Sequence, residues 1–339
     1  MPNATEDRFL GTLLGMAIGD ALGMPVEGWT RARIVERLGV ITDYRRRVFA
    51  DGTEIQPGEF TDESEIALCL VESLTANAGL LDPDNVGARL GYLARGESKR
   101  WMSADTLAAL ARADETLEFR VPIDEDGPAT GEVAARGVAI GLLHAVGRYD
   151  AAAMASDVEG AVRLTHGSPA AVTAALAMAI GVRLAARDEV PPVSLARETA
   201  AVLGGGSLAA ALAEVDRLVD AGMSGAGLLT EVGTGEAATE AVPAAFGAAM
   251  LAERFEDAVF WAVNAGGDTD TVGALAGALA GARFGVAGLP QRLIDDLGGR
   301  IYISLAAPWF FRSAQRRAGL LIELRPDMLP PRPSMPPRF

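Results

Sequence analysis

The stretch VNAGGDTDTVGALAGALAGARFG at 263–285 constrains the fold of this chain more than any other. Its second half is almost pure alanine, glycine and leucine, which predicts an apolar helix with no bulky side chain to hold a neighbour away. Its first half places Asp268, Asp270 and Thr271, three hard oxygen donors, at the mouth of that helix. A second acidic start lies much earlier, in FTDESEIALCLVESL, where Thr61, Asp62 and Glu63 head another predicted helix. Acids belong in the first turn of any helix, where they offset the macrodipole and cap free N–H groups. Either cluster alone therefore reads equally well as local capping, with Asp268 an N-cap and Thr271 supporting its turn. Two such clusters, with glycines packed around the second, point instead to a metal site.

Composition agrees with a helical body. Half of the 339 residues are hydrophobic, enough for a large core, yet only 6 % are aromatic, so helices pack through small side chains. Apolar residues recur at helical spacing through 8–22, 64–78, 104–117, 132–146, 151–164, 169–187, 195–203, 207–221, 243–253, 256–264, 270–284, 290–296 and 313–323, and no alternating strand is predicted. The breaks between these runs are short Gly, Pro and Asp clusters, ordinary helix connections rather than linkers, which predicts one domain over 1–325. From Pro326 the tail carries six prolines and reads as an extended or disordered end.

A formal net charge of −15 repels phosphate backbones and argues against nucleic-acid binding, and the arginine run at 45–47 is too short to reverse it. The apolar run from Phe9 to Val26 is interrupted by Asp20 and several glycines, and 132–146 by Glu132 and Arg136, so neither predicts a signal peptide or a membrane span. A single cysteine, Cys69, rules out an intrachain disulfide and fits a reducing cytoplasm.

Two histidines and one cysteine can hardly assemble a zinc site of imidazole and thiolate ligands. Carboxylates, threonine hydroxyls and water suit Mg²⁺ or Mn²⁺, and Ca²⁺ at higher coordination number. Asp268 and Asp270 leave a chain entering a helix on different sides, so with Thr271 they can reach two ions. Two ions about 3.5–4 Å apart share a bridging water and activate it, and hydrolysis is the natural chemistry of such a pair.

Four segments occur in a telling order: GTLLGMAIGDALGMPVEGW at 11–29, FTDESEIAL at 60–68, LTHGSPAAV at 164–172 and the 263–285 stretch. Together they resemble the ADP-ribosylglycohydrolase family, including the dinitrogenase reductase-activating glycohydrolases, over nearly the whole chain. The resemblance implies an all-α fold, a compact orthogonal helical bundle, with a centre of two Mg²⁺ or Mn²⁺ ions that cleaves ADP-ribose from a modified side chain. By motif position it assigns metal-ligand roles to Thr61, Asp62, Glu63, Asp268, Asp270 and Thr271. Glu27, eight residues after Gly19, matches a glutamate that gates the metal or acts as acid or base in some members, and catalytic roles fall to Glu27, Asp62 and Glu63. His166 matches a histidine beside bound ADP-ribose, and Gly233 and Gly235, in VGTGEAATEAVPAAF, match a glycine pair that commonly precedes the last metal segment. His144, on an apolar helical face, reads as structural.

Two departures stand out. The family usually has an aspartate where this chain has Glu63. At 130–136, TGEVAAR replaces a loop that in relatives wraps the ribose and phosphates, so Thr130, Gly131 and Glu132 occupy the substrate-binding stretch, with a carboxylate where a diphosphate should lie, while Arg136 is kept. The expected function is hydrolysis of the bond between ADP-ribose and an acceptor, an arginine or serine side chain of a protein or a small molecule. A catalytically silent ADP-ribose-binding or protein-binding relative is the competing expectation, and retention of the metal positions weighs against it.

Overall fold

Glycines set the geometry of the centre. In a computed structural model that describes residues 3–116 and 118–321, the helix Glu6–Gly23 runs antiparallel to the helix Thr269–Phe284 with their backbones touching. A Cβ on Gly19 would lie 1.9 Å from the carbonyl oxygen of Gly273, one on Gly15 2.4 Å from that of Gly277, and one on Gly23 2.2 Å from that of Thr269. No other residue type fits these positions without pushing the helices apart. The Thr269 hydroxyl then donates to the Gly23 carbonyl at 2.9 Å, stapling the end of the first helix to the start of the second. Every residue from Gly11 to Gly23 and from Thr269 to Ala282 is buried. A helix that is apolar all round belongs inside a core, and these two are the core's axis.

Other helices surround this pair. Ala238–Leu251, Phe255–Val263 and Pro169–Ala186 pack on Thr269–Phe284, while Arg300–Arg317 and Asp62–Ala76 pack on Glu6–Gly23, with Arg136–Leu143 between Asp62–Ala76 and Pro169–Ala186. Phe9 meets Phe310 and Phe311 with ring centroids 5.3 and 5.0 Å apart, fixing the first helix against the last. The fold is all-α, as expected. The segments Glu6–Val26 and Pro169–Ala186 have the length and hydropathy to cross a bilayer, and both are instead largely covered by protein.

The differences from the sequence reading have local causes. Helices Arg31–Leu38 and Pro83–Arg95 escape it because each buries a narrow stripe, Ile34 alone in the first and Val86, Gly87, Leu90 and Gly91 in the second. The segment 132–146 divides into Gly131–Ala134 and Arg136–Leu143. Two helices start earlier than expected, Ala238–Leu251 against 243–253 and Arg300–Arg317 against 313–323, and each holds a proline inside it. Pro243 lies inside Ala238–Leu251 and Pro308 inside Arg300–Arg317. The carbonyls they leave without a helical partner belong to Thr239 and Ser304, both exposed residues that water can reach. Contrary to the expectation of no strands, Arg47–Val48 pairs antiparallel with Glu54–Ile55, a hairpin too short for alternation to register in the sequence. The proline-rich tail at 326–339 lies outside the described residues.

Substituting Gly19 by alanine tests the central contact. The added methyl overlaps the Gly273 carbonyl, so Gly19→Ala should lower unfolding free energy in urea by about 1–3 kcal/mol despite alanine's better helix propensity. Unchanged stability would mean that the two helices are not packed backbone to backbone.

Candidate functional site

The two acidic clusters meet because the central helix pair and the Asp62–Ala76 helix converge at one end. They open on a cleft of about 590 Å³ whose lining includes Glu27, Asp62, Glu63, Thr130, Glu132, Asp268, Asp270 and Thr271. Thr61 and Asp268 occupy N-cap positions, yet neither side chain caps its own helix. Neither oxygen is spent on a first-turn N–H; Thr61 turns to the floor of the cleft and Asp268 lines it.

Asp20 supplies that floor. It is fully buried on the first helix, and its carboxylate accepts from Thr61 N at 3.0 Å, the Thr61 hydroxyl at 2.7 Å and the Ser64 hydroxyl at 2.6 Å. The same Thr61 hydroxyl lies 2.8 Å from Glu63 Oε2, while Thr271 donates to Glu63 Oε1 at 2.8 Å. One glutamate thus bridges two segments 208 residues apart. Its extra methylene relative to aspartate gives it the reach to do so. Thr61 lies a layer beneath the cleft surface, whereas Thr271 is on it.

The 263–271 segment is held from both sides. Gly267 N donates to the Trp29 carbonyl and Gly28 N to the Gly267 carbonyl, each at 2.9 Å, while Asp268 N donates to the Thr234 carbonyl at 2.8 Å. Gly267 takes φ +78, and a Cβ there would lie 2.2 Å from the Thr234 carbonyl oxygen. Gly233 and Gly235 do not line the cleft. They form the turn that presents Thr234, and Gly235 N donates to Glu240 Oε2 at 2.9 Å. Gly131 N donates to the Glu236 carbonyl at 2.8 Å, and a Cβ on Gly131 would lie 2.8 Å from Thr271 Cγ2, so its role is to let this strand of chain pass close to the acidic cluster.

Glu132 stands on the cleft wall, its Oε1 accepting from the Ser103 hydroxyl at 3.2 Å and the Thr106 hydroxyl at 3.1 Å. Arg136 is buried behind it and donates to the carbonyls of Ala161 and Val162. His166 is also buried and is not among the lining residues. Its Nδ1 lies 2.8 Å from the Thr165 hydroxyl, and burial followed by the charge of Arg136 pushes its pKa down to about 3, so the ring is neutral at physiological pH. His144 is structural, paired with Asp157 at 2.7 Å.

So many carboxylates in one place raise one another's pKa. Burial first, then the charge of Glu63, lifts Asp20 to about 8 and Asp268 to about 7. Burial and neighbouring acids likewise push Asp62 and Asp270 well above the usual range, and burial lifts Glu63, Glu27 and Glu132. Asp270 Oδ1 and the Thr130 hydroxyl are buried without a hydrogen-bond partner. These donors are all oxygen, suited to a hard divalent cation, and a cation would relieve both the repulsion and the orphaned Asp270 oxygen. Among the described residues no three acidic, histidine or cysteine side chains already stand as a complete ligand set. The fit therefore enlists the Thr271 hydroxyl beside the carboxylates.

Sequence reasoning missed several lining residues. Phe49, Ala50, Asp51 and Thr53 come from the hairpin, Arg100, Trp101 and Ser103 from the segment before the Ala104–Thr116 helix, and Glu236 from the Thr234 turn. Asp20 carried a signal, the one acid in the apolar run from Phe9 to Val26.

Helices packed through glycine around a cleft floored with acids at two helix starts define the class, and the comparisons agree. The chain belongs to the ADP-ribosylglycohydrolase family, whose model matches residues 1–319. It is 30 % identical over 316 residues to the uncharacterized protein YegU of Escherichia coli K12, covering 86 % of this chain and 92 % of that one. It is 27 % identical over 315 residues to the ADP-ribosyl-[dinitrogen reductase] glycohydrolase of Rhodospirillum rubrum, covering 87 % of this chain and 91 % of the relative. A solved structure described as an ADP-ribosylglycohydrolase-related protein complex superposes with a TM-score of 0.67 at 27 % identity, covering 91 % of this chain and 98 % of its own.

The raised carboxylates predict a pH dependence. A group whose folded pKa is raised adds stability below its unfolded pKa and loses it as pH climbs through the folded value. For Asp268 that window runs from the ordinary aspartate value of 3.8 to about 7. In chelator, Asp268→Asn should therefore melt about 2–4 °C higher than the wild type above pH 7, with the difference closing toward pH 4. A difference that does not vary with pH would show that Asp268 is not held in a charge-repelling site.

Proposed function

We propose that this protein is a metal-dependent hydrolase that cleaves the bond between the anomeric carbon of ADP-ribose and an acceptor, an arginine or serine side chain or a small molecule. The observation that carries the reading is the burial of Asp62, Glu63 and Asp270 together beside a half-buried Asp268, with an Asp270 oxygen unpartnered, at the cost of their mutual repulsion. A chain with no cation to bind gains nothing from that arrangement. Asp62, Glu63, Asp268, Asp270 and Thr271 would hold two Mg²⁺ or Mn²⁺ ions, with Thr61 orienting Glu63 from below. When bound, the ions supply positive charge that activates water and anchors ribose hydroxyls.

The remaining chemistry falls to the chain. The bond from the anomeric carbon to the acceptor breaks with its electron pair leaving on the acceptor, through an oxocarbenium-like state that the surrounding carboxylates stabilise. Water then gives its hydroxyl to the carbon, and a proton must pass to the acceptor. Glu63 Oε1 already accepts from the Thr271 hydroxyl, and its Oε2 lies against the Thr61 hydroxyl, so both its oxygens are engaged. Glu27 is freer. It lines the cleft, and burial and Glu236 raise its pKa against the lowering effect of Arg47, which suits a group that both takes and gives a proton. Arg47 donates to the Glu27 carbonyl at 2.8 Å and fixes the segment that carries it.

Titration calorimetry and turnover separate these roles. Asp270→Ala should bind at least one Mn²⁺ fewer than the wild type, and an unchanged stoichiometry would remove the metal site. Glu27→Gln should keep metal binding while slowing hydrolysis of arginine- or serine-linked ADP-ribose peptides by about 10²–10⁴-fold. A wild type inactive on every linkage with both metals would overturn the hydrolase reading.

A further inference from the structure

Charge is distributed unevenly around the cleft. Eight of the residues lining it are acidic, Glu27, Asp51, Asp62, Glu63, Glu132, Glu236, Asp268 and Asp270, and one, Arg100, is basic. The resemblance leads one to expect the 130–136 stretch to wrap the substrate's phosphates, but what it puts in the cleft is the Thr130 hydroxyl and the carboxylate of Glu132, with no cation, and Arg136 is turned into the protein. Arg100 belongs to a different wall. Its guanidinium lies 4.9 Å from the ring centroid of Trp101, Trp101 meets Phe49 of the hairpin at 5.7 Å and 57°, and Arg47 lies 4.1 Å over Phe49. Two segments far apart in sequence thus build a run of cation, ring, ring and cation at the edge of an acidic cleft.

Resting on the hydrolase reading above, we infer that this wall is the subsite for the adenosine diphosphate half of the substrate, with Arg100 holding phosphate oxygens and Trp101 and Phe49 offering the base a stacking face. The Glu132 side is left to the ribose and the acceptor. Arg100 now pairs with Glu59 and, at 3.0 Å, with Glu97, whose side chain is 93 % exposed. The exposed pair with Glu97 holds weakly, so the planar guanidinium can keep its half-buried Glu59 partner and turn the N–H groups spent on Glu97 to a phosphate. Indole faces bind any nucleobase by stacking. Asp51, at the hairpin tip, opposes the phosphates and limits how near that end of the cleft they come.

The test is calorimetry on the full chain in saturating Mg²⁺ with ADP-ribose and with adenosine. Arg100→Gln should weaken ADP-ribose about tenfold and leave adenosine unchanged, Arg100→Lys should recover part of the loss, and the loss should shrink as salt is raised. Trp101→Ala should weaken both ligands. Glu132→Gln should alter ADP-ribose affinity less than Arg100→Gln does. If the wild type binds ADP-ribose and Arg100→Gln binds it equally well, the subsite is wrong while the hydrolase reading stands. If the wild type binds neither ligand, both fall. Should Trp101→Ala fail to melt cooperatively, the two Arg100 variants decide the matter alone.

Discussion

Everything at the cleft depends on two backbones touching. The helix Glu6–Gly23 carries Asp20, and the helix Thr269–Phe284 carries Asp270 and Thr271, so the distance between their axes sets the distance between the floor of the site and one of its walls. Glycine carbonyls facing glycine Cα atoms define that distance with no side chain in between to adjust its rotamer. Interiors are close-packed and barely compressible, so a position set this way is set firmly. The third element, Asp62–Ala76, is then located by hydrogen bonds from Thr61 and Ser64 to Asp20.

The acidic site works against this order. Packing draws carboxylates into a region that burial makes hostile to charge, and the chain answers with hydroxyls, from Thr61, Ser64, Thr271, Ser103 and Thr106, rather than with arginines. Hydroxyl donors stabilise a carboxylate without cancelling its charge. An arginine in their place would form a satisfied ion pair and leave nothing for a cation to do. The choice of partner keeps the site receptive.

Much of this was legible in the sequence, and the part that was not has a common cause. The apolar helices announced themselves by period, and both acidic clusters by their place at helix starts. Asp20 looked like an interruption of an apolar run because its meaning lies in Thr61, 41 residues on. Abundant glycine showed that some helices approach closely, but which two could not be read, since that is a property of pairs. Phe49, Trp101, Arg100 and Glu236 come from short connecting segments with no periodicity, and only the folded chain brings them to one cleft. His166 shows the opposite error, a motif residue that the fold buries outside the cleft lining.

The pairing of the first helix with one near the far end of the chain also orders events in time. During synthesis the segment Glu6–Gly23 leaves the ribosome early, while its partner, Thr269–Phe284, is still unmade. At the usual pace of translation the wait is on the order of tens of seconds. Throughout it, a strongly apolar helix lacks the partner that covers most of it, and an early collapse onto the wrong neighbour must be reversible. A nascent chain built this way has a long window of exposure to chaperones and to aggregation, and its site comes into being only among the last steps of folding.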